Sequence, residues 1–92
     1  MVITGAASGI GRAVALRAVS EGAQLALIDI NNEAGKQVLQ EVERIQNGNI
    51  FVQADLAKSQ NVKNAFEQVI AEFGHINIAI NNAGIMGTPN PV

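Results

Sequence analysis

Residues 4–11 read Thr-Gly-Ala-Ala-Ser-Gly-Ile-Gly, which puts three glycines within eight positions, directly after a short apolar run. A turn alone is satisfied by one glycine. Three of them, separated only by small residues and one isoleucine, suit a backbone that must let something approach closely. The amphipathic stretch that follows predicts a helix, and a helix start offers unpaired N–H groups and a partial positive charge that attract phosphate. At Gly5, Gly9 and Gly11 no side chain would hold a phosphate off, and positive φ carries no strain. Ala6 and Ala7 keep the loop slim. Ser8 offers a hydroxyl, either as a donor to a phosphate or as the cap of the helix. The spacing is G-x-x-x-G-x-G, which differs from the G-x-G-x-x-G dinucleotide fingerprint and lacks the Lys-Ser/Thr ending of a P-loop.

A second position with suitable chemistry is Asp29, 18 residues beyond Gly11. An acidic residue that binds an adenosine ribose is expected about 20 residues along. A carboxylate there accepts hydrogen bonds from ribose hydroxyls and repels a 2′-phosphate, which favours NAD over NADP. Ser8 and Ile30 place no basic side chain nearby to offset that repulsion. The plainer reading makes Asp29 a neighbour of the helix cap Asn31. Asp55-Leu56 and Asn81-Asn82-Ala83-Gly84 follow later apolar runs. Taken alone, Asp55 reads as a loop aspartate that satisfies backbone N–H groups, and the Asn-Gly stretch as a tight turn. One histidine and no cysteine give no metal-ligand set, and His75 reads as a solvated loop residue.

These positions need a scaffold, and the chain alternates short β-type runs with helical stretches. Met1–Thr4 is a strand stub, and a helix over Gly9–Ser20 carries Ile10, Val14 and Ala18 with Ala13 beside them. Gln24–Ile30 is almost continuously apolar, as in a strand covered on both faces. Asn31 caps a second helix with Ala34, Val38, Val42 and Ile45 as its buried stripe, closed at Asn47-Gly48. Asn49–Ala54 is a third strand. Ser59 caps a third helix bearing Val62, Phe66, Val69 and Phe73, ended by Gly74, and a fourth strand lies within His75–Asn81. The three phenylalanines read as core. Glu33, Lys36, Glu41, Glu43 and Arg44 read as a solvated helix face, with Arg12 and Arg17 also facing water. The order β-α-β-α-β-α-β predicts an α/β fold, a parallel sheet with helices on both faces.

Thr4–Gly11, Asp29 at the end of the second strand, Asp55-Leu56 after the third and Asn81–Gly84 after the fourth together resemble the short-chain dehydrogenase/reductase family. The resemblance covers the whole chain. It implies a Rossmann-type doubly wound sheet with strand order 3-2-1-4. It implies diphosphate contact by Gly5, Ser8, Gly9, Ile10 and Gly11, and ribose recognition by Asp29. An adenine pocket would form at Asp55 and Leu56, and Asn82, Ala83 and Gly84 would line the adenosine ribose while Asn81 braces the sheet. It further implies hydride transfer between NAD(H) and an alcohol or carbonyl substrate, in a complete protein that is a homo-oligomer.

The family's catalytic Ser, Tyr and Lys lie downstream of the Asn-Asn-Ala-Gly motif, and this chain has no tyrosine at all. No catalytic residue is therefore assigned. The expectation is that residues 1–92 are the N-terminal, NAD-binding part of a single Rossmann domain, cut at both ends and inactive alone. The alternatives are a nucleotide-binding module without catalysis and, more remotely, a methyltransferase with a methionine-derived cofactor. A net charge of −2 without a basic run argues against nucleic acid. No apolar stretch reaches the ~18 residues of a membrane span, and the lack of cysteine suits a cytoplasmic address.

Overall fold

The computed structural model describes residues 1–81. Its elements run β1 (Val2–Thr4), α1 (Gly9–Ser20), β2 (Ala26–Asp29), α2 (Asn32–Ile45), β3 (Ile50–Gln53), α3 (Ser59–Phe73) and β4 (Ala79–Asn81). The strands form one sheet in the order β3-β2-β1-β4, and every pairing is parallel. Ile3 stands opposite Leu27 on one side and Ile80 on the other. The strand order inferred from the four motifs is the observed one.

Both faces of the sheet are covered, which explains the unbroken apolar runs. Ile3, Leu25 and Leu27 point to one side and pack with Ala15 and Val19 of α1 and Val38 and Val42 of α2. Val2, Ala26 and Ile28 point to the other, against Ala54 and the α3 residues Ala65 and Val69. Alternation within each strand thus feeds two cores from one run of residues.

The helix stripes differ from the expected ones. In α1 the buried residues are Gly11, Ala15 and Val19, while Ile10 is 72% exposed. The stripe is displaced by one residue, because Gly11 is the point at which the helix rests on the preceding loop. A Cβ on Gly11 would clash with the Gly5 carbonyl oxygen and come within 2.9 Å of Ala6 Cα. In α2 the stripe is Gly35, Val38 and Val42, and Ile45 is exposed. Gly35 gives room to the ring of Phe51, which lies where a Cβ would project. Phe51, Phe66 and Phe73 are partly buried and flank the cores. In α3 the cap position is Lys58, without a side-chain hydrogen bond, and Ser59 is the first helical residue. Asn31 caps α2 as expected, its Oδ1 accepting from Ala34 N–H at 3.0 Å. Among the described residues no helix is long and apolar enough to cross a membrane.

Candidate functional site

The carboxyl ends of parallel strands are where ligands bind in such sheets, and the predicted positions among the described residues follow the strand ends there. Gly5 leaves β1 with φ 64°, a left-handed turn that suits glycine. Ala6 N–H reaches the Ile28 carbonyl at 3.3 Å, keeping the loop beside β2. Ser8 then closes the turn on itself. Its hydroxyl donates to the Gly5 carbonyl at 2.7 Å and accepts from Gly11 N–H at 3.1 Å. The hydroxyl proton is thereby committed inside the loop, so Ser8 acts here as a helix cap and not as an outward donor. Arg12 N–H bonds the Ser8 carbonyl at 2.8 Å. The other two N–H groups of the first turn belong to Gly9 and Ile10, both on exposed residues.

The three glycines consequently have separate reasons. Gly5 supplies the positive φ, and Gly11 the close seat of helix on loop. At Gly9 a Cβ would meet nothing within 4 Å, and its φ is not positive. Nothing among the described residues requires a glycine there. A Cβ there would enter open space, and the exposed residues Gly9 and Ile10 begin the helix at its positive end, where an anionic group is favoured.

Asp29 ends β2 half-buried, next to that loop. Its Oδ2 accepts from Ala7 N–H at 3.0 Å and its Oδ1 from Asn31 N–H at 2.9 Å. Ala54 N–H bonds the Asp29 carbonyl at 3.1 Å, tying in the end of β3. Asp55 makes a local turn before α3, with Oδ1 accepting from Ala57 N–H at 3.0 Å and its carbonyl accepting from Lys58 N–H. Leu56 is half-buried against the core on the α3 side. Asn81 braces the sheet as expected, its Oδ1 accepting the Thr4 hydroxyl at 2.9 Å across β1 and β4. Asn82, Ala83 and Gly84 lie outside the described residues.

Arg12 does not face the loop. Its guanidinium forms a bidentate pair with Glu41 at 2.7 and 2.8 Å, joining α1 to α2. The hydrogen bond from Arg12 holds the Glu41 carboxyl below its ordinary range and, in return, raises the guanidinium. Three contributors escaped the sequence reading: the Ala7 N–H, the Thr4 hydroxyl and Gly35. An N–H is common to almost every residue and carries no signal. The implied strand order already set β1 beside β4, but the partner of Asn81 became legible only with the register that puts Thr4 opposite it. No group of three or more candidate metal ligands exists among the described residues.

A glycine loop at the carboxyl end of the first strand of a parallel α/β sheet defines the doubly wound nucleotide-binding class. The chain belongs to the short chain dehydrogenase family, whose model matches residues 1–91. It is 39% identical to the 3beta-hydroxysteroid dehydrogenase of Mediterraneibacter gnavus, over all of this chain and 33% of that protein. It is 41% identical to the human 15-hydroxyprostaglandin dehydrogenase [NAD(+)], over 97% of this chain and 34% of that protein. Among solved structures it resembles NAD+-bound xylitol dehydrogenase with a TM-score of 0.83 and 31% identity, over 85% of this chain and 30% of the other. The chain thus spans about a third of the length of the curated relatives it matches.

Proposed function

We propose that this chain forms the NAD-binding part of an oxidoreductase that moves hydride between NAD(H) and a small alcohol or carbonyl substrate. The observation that carries the reading is that Gly9, at the exposed start of α1, leaves open the space a side chain would fill, in the loop that Asp29 holds through the Ala7 N–H. Gly5, Ser8 and Gly11 shape the loop, and Gly9 and Ile10 present donors to the diphosphate. Asp29 accepts from the adenosine ribose and disfavours a 2′-phosphate. Asp55 and Leu56 form the adenine side, and Asn82, Ala83 and Gly84 line the ribose. NAD, when bound, supplies the hydride acceptor. The residues of this chain bind and orient it, and no proton-transfer group is assigned among them, tyrosine being absent.

The test is a calorimetric titration of the purified protein with NAD, NADP and S-adenosylmethionine. Saturable NAD binding, with NADP at least tenfold weaker, is the expected result. Binding of S-adenosylmethionine alone, or of none of the three to a folded chain, overturns the reading. NAD binding without turnover by a complete protein supplied with alcohols or carbonyls would favour a nucleotide-binding module.

A further inference from the structure

We propose that Asp29 is also a positioning residue, a clamp that sets the shape of the glycine loop before any ligand arrives. The inference rests on the NAD reading above for the ligand, but its geometry stands without one. One carboxylate joins three segments: the end of β2 on which it sits, the crest of the loop through Ala7 N–H, and the cap of α2 through Asn31 N–H. The other ties of the loop are weaker or local. Ala6 N–H reaches the Ile28 carbonyl at 3.3 Å, while Ser8 bonds back to Gly5 within the same turn. The crest is therefore held to the sheet through a charge-assisted bond, the stronger kind. A carboxylate has about four acceptor positions, so with Ala7 and Asn31 in place it still accepts from a ribose. Recognition and loop geometry then depend on the same two oxygens.

This has a consequence for cofactor choice. If Asp29 met only the ribose, its removal would weaken NAD and spare or improve NADP. Because Asp29 also holds Ala7, its removal loosens the loop on which both cofactors depend. A substitution at Asp29 alone narrows the preference by lowering both affinities and does not create a good NADP site.

The experiment compares wild type, Asp29→Ala and Asp29→Asn. Amide hydrogen exchange of the ligand-free proteins is followed by NMR, with NAD and NADP titrations alongside. In Asp29→Ala the Ala7 amide should exchange about tenfold faster or more, as expected for loss of a hydrogen bond to a charged group. The β2 amides should keep their protection, and the affinities for NAD and NADP should both fall. Asp29→Asn keeps one acceptor oxygen and should give intermediate Ala7 protection. It carries the comparison if the β2 amides of the alanine variant lose protection. An Ala7 amide that exchanges at the wild-type rate in the folded variants overturns the clamp, as does tighter NADP binding by Asp29→Ala. Faster Ala7 exchange with no change in NAD affinity overturns both the clamp as a determinant of binding and the ribose assignment, whereas weaker NAD binding at the wild-type exchange rate overturns the clamp alone.

Discussion

Gly9 and Gly11 lie two residues apart, and alanine at each position separates ligand binding from folding. A Cβ at Gly11 would press on the Gly5 carbonyl group, 2.8 Å from its carbon, and on Ala6 Cα at 2.9 Å. These are backbone atoms, so no rotamer change relieves the overlap, and loop and helix must part. Overpacking of this kind costs about 1–3 kcal/mol, and loosening the Ser8 cap adds about 1 kcal/mol. Removing a glycine from a helix returns about 0.5–1 kcal/mol, which leaves Gly11→Ala destabilised by roughly 1–3 kcal/mol. Gly9→Ala meets no such overlap and should stay within about 0.5 kcal/mol of wild type. Its methyl group, however, fills the space proposed for the diphosphate. Urea unfolding should give Gly11→Ala a lower midpoint with an unchanged slope and Gly9→Ala a wild-type curve. An NAD titration should find Gly9→Ala at least tenfold weaker. A wild-type midpoint for Gly11→Ala would falsify the steric account of the loop. Wild-type NAD affinity in Gly9→Ala would remove the open space from the site.

Gly35→Ala should destabilise by about 1–2 kcal/mol, the clash with the Phe51 ring outweighing the gain in helix propensity. Adding Phe51→Leu should recover part of the loss, a coupling that a double-mutant cycle measures by thermal unfolding. For the Arg12–Glu41 pair the sign follows from the lowered Glu41 pKa, caused chiefly by the hydrogen bond from Arg12. Its contribution is complete above the ordinary glutamate value and is lost as pH falls through the lowered one. Wild type and Glu41→Gln should therefore unfold alike in acid and differ slightly at neutral pH. That difference should vanish in about 1 M salt, since both side chains are solvated. A difference that persists in acid or in salt would contradict this.

The sheet was legible because burial on both faces leaves a plain mark, as in Gln24–Ile30, and because each motif falls at a strand end. The extent of α1 was legible for a similar reason, with glycine and serine at its start and Gly22 beyond its end. Its buried stripe was not. Ile10 is the more hydrophobic residue, yet Gly11 faces inward, because closeness of approach and not side-chain hydrophobicity fixes the rotation of this helix. The same cause hid Gly35, whose role depends on a ring 16 positions away in sequence. At the site, Asp29 was legible as an acceptor at a strand end. Its partner Ala7 was not, since a backbone N–H bears no residue signature. Arg12 was read as solvated and is, but its pairing with Glu41 required the packing of α1 against α2.

The unequal anchoring of the helices bears on how binding would be felt. Side-chain caps hold the starts of α1 and α2, at Ser8 and Asn31, and the Arg12–Glu41 pair joins the two. Helix α3 starts without a side-chain cap, has no acidic residue in its first turn and no basic residue in its last, and buries only Ala65 and Val69. Its local opening should be the least costly of the three. A nucleotide lying from Gly9 to the Asp55 turn would rest on a firm wall at one end and on the approach to the loosest helix at the other. Part of the contact free energy would then go into quieting α3. The measured affinity would understate the contacts made, and the heat-capacity change on binding would exceed what the touched surface alone accounts for.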